Sequence, residues 1–431
     1  MRDLWALKLQ TSQNRVSHDS DTEPDTQSKY FSSQSEGETS ASEATARSRA
    51  RGRAVVAGAP GLLDTMAVCY MGMLLLREPV TIAAMHRWIS DGEMLYYHAS
   101  QQVPLSMRER LPPKYQELLE VKTLSNADKF QKHILDTLTT FNTDLGMAFP
   151  PINQPVILYN WIKALALPVE IFAGTLRLAR LLDIPFEYRL DIKPGARDAV
   201  LLYPEARLMA VLVVTTKLFF PFDDIKRSPA SATAMDPLIM DWSVWADIQS
   251  STTDAGKAES LGYADALDFS QADVLGAAEH QLDQYMDWCE RNIASEDVRE
   301  RGSAGRDADF RRIMFRMFPA HQDAMEVGSK QHDDVAQHEV ETKRLRRVQA
   351  ACKVKEMLLE LPARVQAKVG DLGSFYRRTK SIEEVDGPLE TFIKQAADLA
   401  GLSLEGMVSA VSIVERKMQK HEERLRKEDV C

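Results

Sequence analysis

Tyr203-Pro204-Glu205-Ala206-Arg207-Leu208-Met209-Ala210-Val211-Leu212-Val213-Val214-Thr215-Thr216-Lys217-Leu218-Phe219-Phe220-Pro221-Phe222-Asp223-Asp224 is the stretch on which the fold turns. From Leu208 to Phe220 only Thr215, Thr216 and Lys217 are polar. A helix with that pattern has no face for solvent and must be buried on every side. Val211, Val213, Val214, Thr215 and Thr216 are β-branched, so a buried parallel strand is the competing reading. Helix is favoured because the run outlasts a typical strand, Pro204 suits a first helical position and Pro221 ends it. Lys217, with no partner acid in sight, reads as a helix-end cation.

A central helix needs others around it, and the chain on both sides supplies them. Leu62 to Leu76 is again apolar nearly all round and closes at Arg77-Glu78-Pro79. Thr81 can cap a short helix through Ile82, Met85, Trp88 and Ile89, with Gly92 after it. Asn126 or Ser125 starts a longer amphipathic helix carrying Phe130, Ile134, Leu138, Phe141 and Leu145, ended by Gly146. After Pro150-Pro151 come Val156 to Leu165, then Val169 to Leu182 with Phe172, Leu176 and Ala179 in line. From Pro221 to about Ser270 the chain turns polar and irregular and reads as a surface insertion containing Trp242 and Trp245. Helical pattern resumes at Glu279 and again at Phe310 to Phe318.

The two ends differ in character. Met1 to Gln10 reads as one helical turn or a docking peptide. Residues 11–60 are dominated by Ser, Thr, Asp, Glu and Gln and cannot bury enough surface to offset their ordering entropy, so they are expected to be a disordered linker. That linker starts acidic and turns basic at Arg47, Arg49, Arg51 and Arg53. It is either a plain solvated tether or a phosphorylatable one whose arginines touch phosphates or an acidic partner. The tail, 321–431, is helical. Leu389, Phe392, Ile393, Ala396 and Leu399 share one face, and Ser403 caps a last helix whose final turns, from Glu415 on, are charged and expected to project into solvent or onto a partner. The class is all-α.

Composition sets outer limits. At 431 residues and 44% hydrophobic content the chain is long enough for two or three domains. No window of eighteen apolar residues offers a membrane span. A net charge of −10 gives no general pull towards nucleic acid. Any such contact must come from local patches, Arg47, Arg49, Arg51 and Arg53 or Lys343, Arg344, Arg346 and Arg347, and should be weak and salt-sensitive. Cys69, Cys289, Cys352 and Cys431 are scattered singly, without metal-ligand or disulfide spacing, which suits a reduced, intracellular protein.

Catalytic constellations are missing. There is no phosphate-binding G-x-x-x-x-G-K-[ST] and no G-x-G-x-x-G after a strand. His338-Glu339 and His421-Glu422 lack the second histidine that zinc hydrolases need. Lys394 to Ser403 with the following helix has helix-turn-helix spacing. Glu405, Ser409 and Ser412, however, stand where base-reading Arg, Asn or Gln would be wanted, so a packed helical hairpin is the reading. The chain is read as no enzyme.

Several ordered stretches carry a resemblance. Leu62 to Val80, Leu165-Ala166-Leu167-Pro168-Val169-Glu170, Tyr203-Pro204-Glu205 through Asp224, Asp241-Trp242 and Leu282 to Trp288 are similar to the TFIIB-like subunit of the RNA polymerase I core factor, as is Asp3-Leu4-Trp5-Ala6-Leu7. The resemblance implies tandem cyclin-like helical bundles with insertions, each of five helices around a buried central one. On that reading the first bundle is 61–150, and the second is 151–320 with its insertion at about 222–270. The disordered linker precedes them and the helical tail follows. It further implies a nuclear, nucleolar, non-enzymatic factor that bridges RNA polymerase I, promoter DNA and TBP with two other core-factor subunits. A cyclin-like adaptor or kinase regulator is the alternative. The family has an N-terminal zinc ribbon that this sequence does not show, so zinc is expected only if a ribbon lies upstream; no cofactor is expected in these residues.

Overall fold

The computed structural model describes chiefly residues 3–8, 61–94, 105–110, 127–190, 199–223, 238–259, 279–292, 341–354 and 376–428, with isolated positions between them. The expected linker at 11–60, with Arg47, Arg49, Arg51 and Arg53, lies outside the described residues, as does the helix expected at Phe310 to Phe318. The chain packs as two compact units, Met1–Leu76 with Gly92–Ala148, and Arg77–Asp91 with Phe149–Cys431. Residues 77–91 pack with the second unit.

In the first unit, α1 (Leu62–Leu75) packs along α3 (Ala127–Leu145). Met66, Ala67, Val68, Tyr70, Met71 and Leu74 of α1 meet Phe130, Ile134, Leu138 and Phe141 of α3, all buried. Gly146 takes the left-handed conformation that ends α3, at φ +62°. The short helix at residues 3–8 is held by buried Leu4 and by Lys8, whose Nζ lies 2.9 Å from Asp64 Oδ1. Among the described residues this unit holds two long helices, not the five that a complete cyclin bundle would have.

The second unit is built on α6 (Pro204–Phe219), the run that is apolar on every face. It is a helix, with Pro204 in its first turn, and Leu208 to Val214 are wholly buried. Thr215 and Thr216 tolerate burial because each hydroxyl donates to the carbonyl four residues back, at 2.8 and 2.9 Å. Four helices surround α6: α4 (Gln154–Ala164), α5 (Glu170–Leu181), α9 (Gly387–Ala400) and α10 (Leu404–Glu428). This is a five-helix bundle around a buried centre, but two of its members come from the tail. The boundary expected at 320 does not set 321–431 apart, because α6 is apolar all round and needs α9 and α10 to cover it.

Two further expectations are corrected. The segment read as a surface insertion contains α7 (Trp242–Glu259), which precedes α8 (Glu279–Asn292), and Trp245 is fully buried. Trp242, Trp245 and Gln249 form its inward line, and the polar residues between them gave the stretch its irregular look. Along α5 the buried residues are Ile171, Thr175, Leu178 and Ala179, while Phe172 and Leu176 lie at its margin. One small ladder joins the helices: β1 (Leu238–Ile239) pairs antiparallel with β2 (Lys353–Val354), where the sequence reading had no sheet.

Candidate functional site

The polar groups at the two ends of α6 connect segments far apart in sequence. At its start, the Glu205 carboxylate accepts the backbone N–H of Ile82, at 3.0 and 3.2 Å from its two oxygens. Ile82 opens α2 (Ile82–Ser90), and Thr81 Oγ1 accepts from Ala84 N at 3.1 Å. Two otherwise orphaned donors of one helix start are thus satisfied, and a negative charge sits where the helix dipole favours it. Arg207, two residues on, donates to the Glu187 carbonyl. Burial and nearby Arg189 pull its guanidinium pKa down to about 10.

At the other end, Lys217 is no simple helix-end cation. Its Nζ lies 2.6 Å from Glu415 Oε1 and 2.7 Å from Thr379 Oγ1, and 4.8 Å from the centre of the Tyr376 ring. Glu415 also accepts from the Tyr376 hydroxyl at 2.6 Å and from Thr379 N at 2.9 Å. Glu415, expected in the projecting part of the last helix, is therefore buried. Burial pulls the Lys217 ammonium below the ordinary lysine value, with Glu415 opposing, and burial pushes the Tyr376 phenol far up. The cleft beside them, lined by Lys217, Phe222, Tyr376, Thr379 and Leu389, holds about 80 Å³. Clefts that take drug-sized ligands run to roughly 300–1,000 Å³. The node has charge and hydrogen bonds but no room for a drug-sized ligand, and it clasps α6 to α10.

A second node closes α4. Its last carbonyls lack partners within the helix. Leu165 O accepts from Trp245 Nε1 at 2.8 Å and Gln249 Nε2 at 3.4 Å, and Ala164 O accepts from Arg344 Nη2 at 2.6 Å. Ala166 turns the chain there with φ +51°. Phe222 stacks on Trp242 at 3.8 Å between ring centres, and Trp245 and Phe392 complete the aromatic cluster. The short motifs around Leu165, Tyr203 and Asp241-Trp242 are thus the contact points of one bundle.

The cationic residues singled out in the sequence have different fates. Lys343, Arg346 and Arg347 are exposed on the helical segment 341–351. Arg344 is turned inward onto α4, where two of its donors are committed to Ala164 and Gln249. A row that the sequence reading passed over lies on α10, where Arg416, Lys420, Arg424 and Lys427 are exposed. Its signal was the spacing of the charges. Among the described residues no group of three or more His, Cys, Asp or Glu side chains could hold a metal ion, so no zinc role is assigned to them.

Comparison with known proteins gives this bundle a lineage. Residues 1–105 match the N-terminal cyclin domain of Rrn7/TAF1B, and residues 124–293 match the C-terminal cyclin domain of Rrn7/TAF1B. The chain belongs to the Rrn7/TAF1B family. RNA polymerase I-specific transcription initiation factor rrn7 of Schizosaccharomyces pombe is 26% identical over 196 residues, which are 43% of this chain and 36% of that protein. A TATA box-binding protein-associated factor of RNA polymerase I from Bos taurus is 25% identical over 166 residues, 37% of this chain and 27% of that one. The matches thus span about a third of these relatives' length. In the crystal structure of S. cerevisiae core factor one chain aligns with a TM-score of 0.47 at 16% identity, over 84% of this chain and 83% of that one. The C-terminal cyclin match ends at 293, before α9 and α10.

Proposed function

We propose that this chain is a general initiation factor for RNA polymerase I at rRNA gene promoters. It works as a TFIIB-like scaffold without enzymatic activity, in the nucleus and nucleolus. The observation that carries the reading is the pair of family cyclin domains in order on one chain, together with relatives named for RNA polymerase I, one of them as a transcription initiation factor. The partners proposed are RNA polymerase I, two other core-factor subunits, TBP and promoter DNA, the last bound weakly by the chain alone. The bundle supports a docking role: its ion pairs and buried aromatics fix helices in place, and the described cleft at Lys217 is too small for a drug-sized ligand. The test is affinity purification of the tagged chain from nuclear extract. RNA polymerase I and core-factor subunits should be recovered with it. Recovery of none of them would overturn the proposal, and a stoichiometric protein kinase in their place would favour a cyclin-like regulator.

A further inference from the structure

Helix α10 has two halves. Met407, Val408, Ala410, Val411, Val414 and Glu415 face the bundle, and beyond Glu415 the helix continues to Glu428 with most of its surface in solvent. On that free part Arg416, Lys420, Arg424 and Lys427 follow one another at intervals of four, four and three residues. At 3.6 residues per turn they fall within an arc of about 80°, opposite the apolar face, over roughly 16 Å of helix. Arg416, Lys420 and Lys427 have no carboxylate partner among the described residues. Arg424 touches His421 Nδ1 at 2.8 Å, and Glu423, the carboxylate set among them, accepts from Gln419 at 2.8 Å.

A merely solvated helix face does not look like this. Surface helices gain from opposite charges four apart and lose a few tenths of a kcal/mol from like ones. Here two successive i, i+4 pairs and one i, i+3 pair are like-charged. The opposite charges four apart, Glu423 with Lys427 and Arg424 with Glu428, touch only the far end of the row and leave Arg416 and Lys420 uncompensated at that spacing. Favourable interaction with the helix dipole accounts for Arg426 and Lys427 in the last turn. It fades within that turn and does not reach back to Arg416 and Lys420. The helix before it, α9, meets α10 at a bend of 100°, through Gly401 in the left-handed conformation. Helix-turn-helix units share that angle but present the N-terminal residues of the second helix to the groove, whereas here the cations lie on its second half. Its first half carries Glu405, Ser409 and Ser412 away from the buried face and no base-reading side chain.

We propose that the ridge Arg416, Lys420, Arg424 and Lys427 binds the phosphate backbone of duplex DNA without reading its sequence. The site rests on the ridge itself; the choice of DNA as the polyanion rests on the proposed promoter role. Phosphates bound by four such cations release counterions and steepen the salt dependence of binding by about 0.9 per contact. The ridge gives an otherwise acidic chain one local anchor on the duplex.

The test is fluorescence anisotropy of a labelled 30-base-pair duplex of arbitrary sequence with the full chain, from about 50 to 200 mM salt. The quadruple variant R416Q/K420Q/R424Q/K427Q should bind at least about tenfold more weakly at low salt, with a log–log slope shallower by about 3.6. The charge-retaining variant R416K/R424K should keep the slope. Helix content by circular dichroism should not fall in either variant, since the substitutions relieve or preserve like-charge contacts. An unchanged slope in the quadruple variant, no measurable binding by the parent chain, or a slope lost equally in the R416K/R424K variant would overturn the inference. So would preferential binding of the ridge to a peptide of residues 19–38. The same quadruple variant, purified from nuclear extract, should still bring down RNA polymerase I. Failure of the parent chain to do so counts against the initiation role, whatever the DNA slope.

Discussion

At the scale of single residues the bundle depends on charges whose partners lie far away in the chain. Lys217 and Glu415 are 198 positions apart and nearly inaccessible to water. Removing one member of such a pair leaves the other buried and uncompensated, which typically costs about 3–5 kcal/mol. Lys217→Met should therefore destabilise the second unit by about that much. Glu415→Gln in the same background should restore part of it, because the amide still accepts from Tyr376. A double-mutant cycle by urea denaturation, followed by tryptophan fluorescence, should give a coupling above about 1 kcal/mol; additivity within about 0.3 kcal/mol would mean the pair does not act as a unit. In the first unit, burial alone would raise the Asp64 pKa. Hydrogen bonds from His133, Lys8 and Gly61 N outweigh it and hold the carboxyl well below its ordinary 3.8. A group with a depressed folded pKa contributes stability above its unfolded pKa, and that contribution is lost as pH falls towards the folded value. The stability gap between the parent chain and Asp64→Asn should thus be full above about pH 5 and close progressively below about pH 4. A gap that does not change with pH would show that the carboxylate charge is not what holds residues 3–8.

At the scale of elements, the close approach of α5 to α6 depends on Gly174. A Cβ there would sit 2.6 Å from Phe219 Cε2 and 2.9 Å from Thr215 Cγ2. Glycine to alanine inside an exposed helix normally gains up to about 1 kcal/mol; here Gly174→Ala should instead cost about 1–3 kcal/mol through overpacking. Thermal unfolding of the variant checks the sign, and a raised Tm would mean that α5 stands further from α6. Elements were legible in the sequence where their signals are local. Thr81 caps α2, Gly146 ends α3, Pro204 opens α6, and Ser403 Oγ accepts Gly406 N at the start of α10. Each of these acts within a few residues of its own backbone. What was not legible depends on partners brought together by folding. Arg344 looked like one cation among four until α4 offered it a carbonyl, 180 residues away. Trp245 sits at helical spacing in polar company, so the stretch read as surface although its ring fills the core.

At the scale of the molecule, the second bundle spans more chain than its family domain. Residues 124–293 supply α4, α5 and α6 within the C-terminal cyclin match, and α9 and α10 complete the cover from beyond it. Truncation before Gly387 should expose Leu208 to Val214 and leave Lys217 without Glu415. The truncated chain should lose cooperative unfolding and bind a hydrophobic dye, whereas retained cooperativity would make the tail an accessory. The apolar periodicity of α6 foretold a surrounded helix, but periodicity carries no information about which segments do the surrounding. The role proposed for this bundle is that of a scaffold in RNA polymerase I initiation. The most direct test of that role is rapid depletion of the chain in cells, with nascent transcripts labelled at once. Pre-rRNA synthesis should fall promptly while transcription by RNA polymerases II and III continues. Undiminished pre-rRNA synthesis, or an equal fall in all three classes, would contradict it.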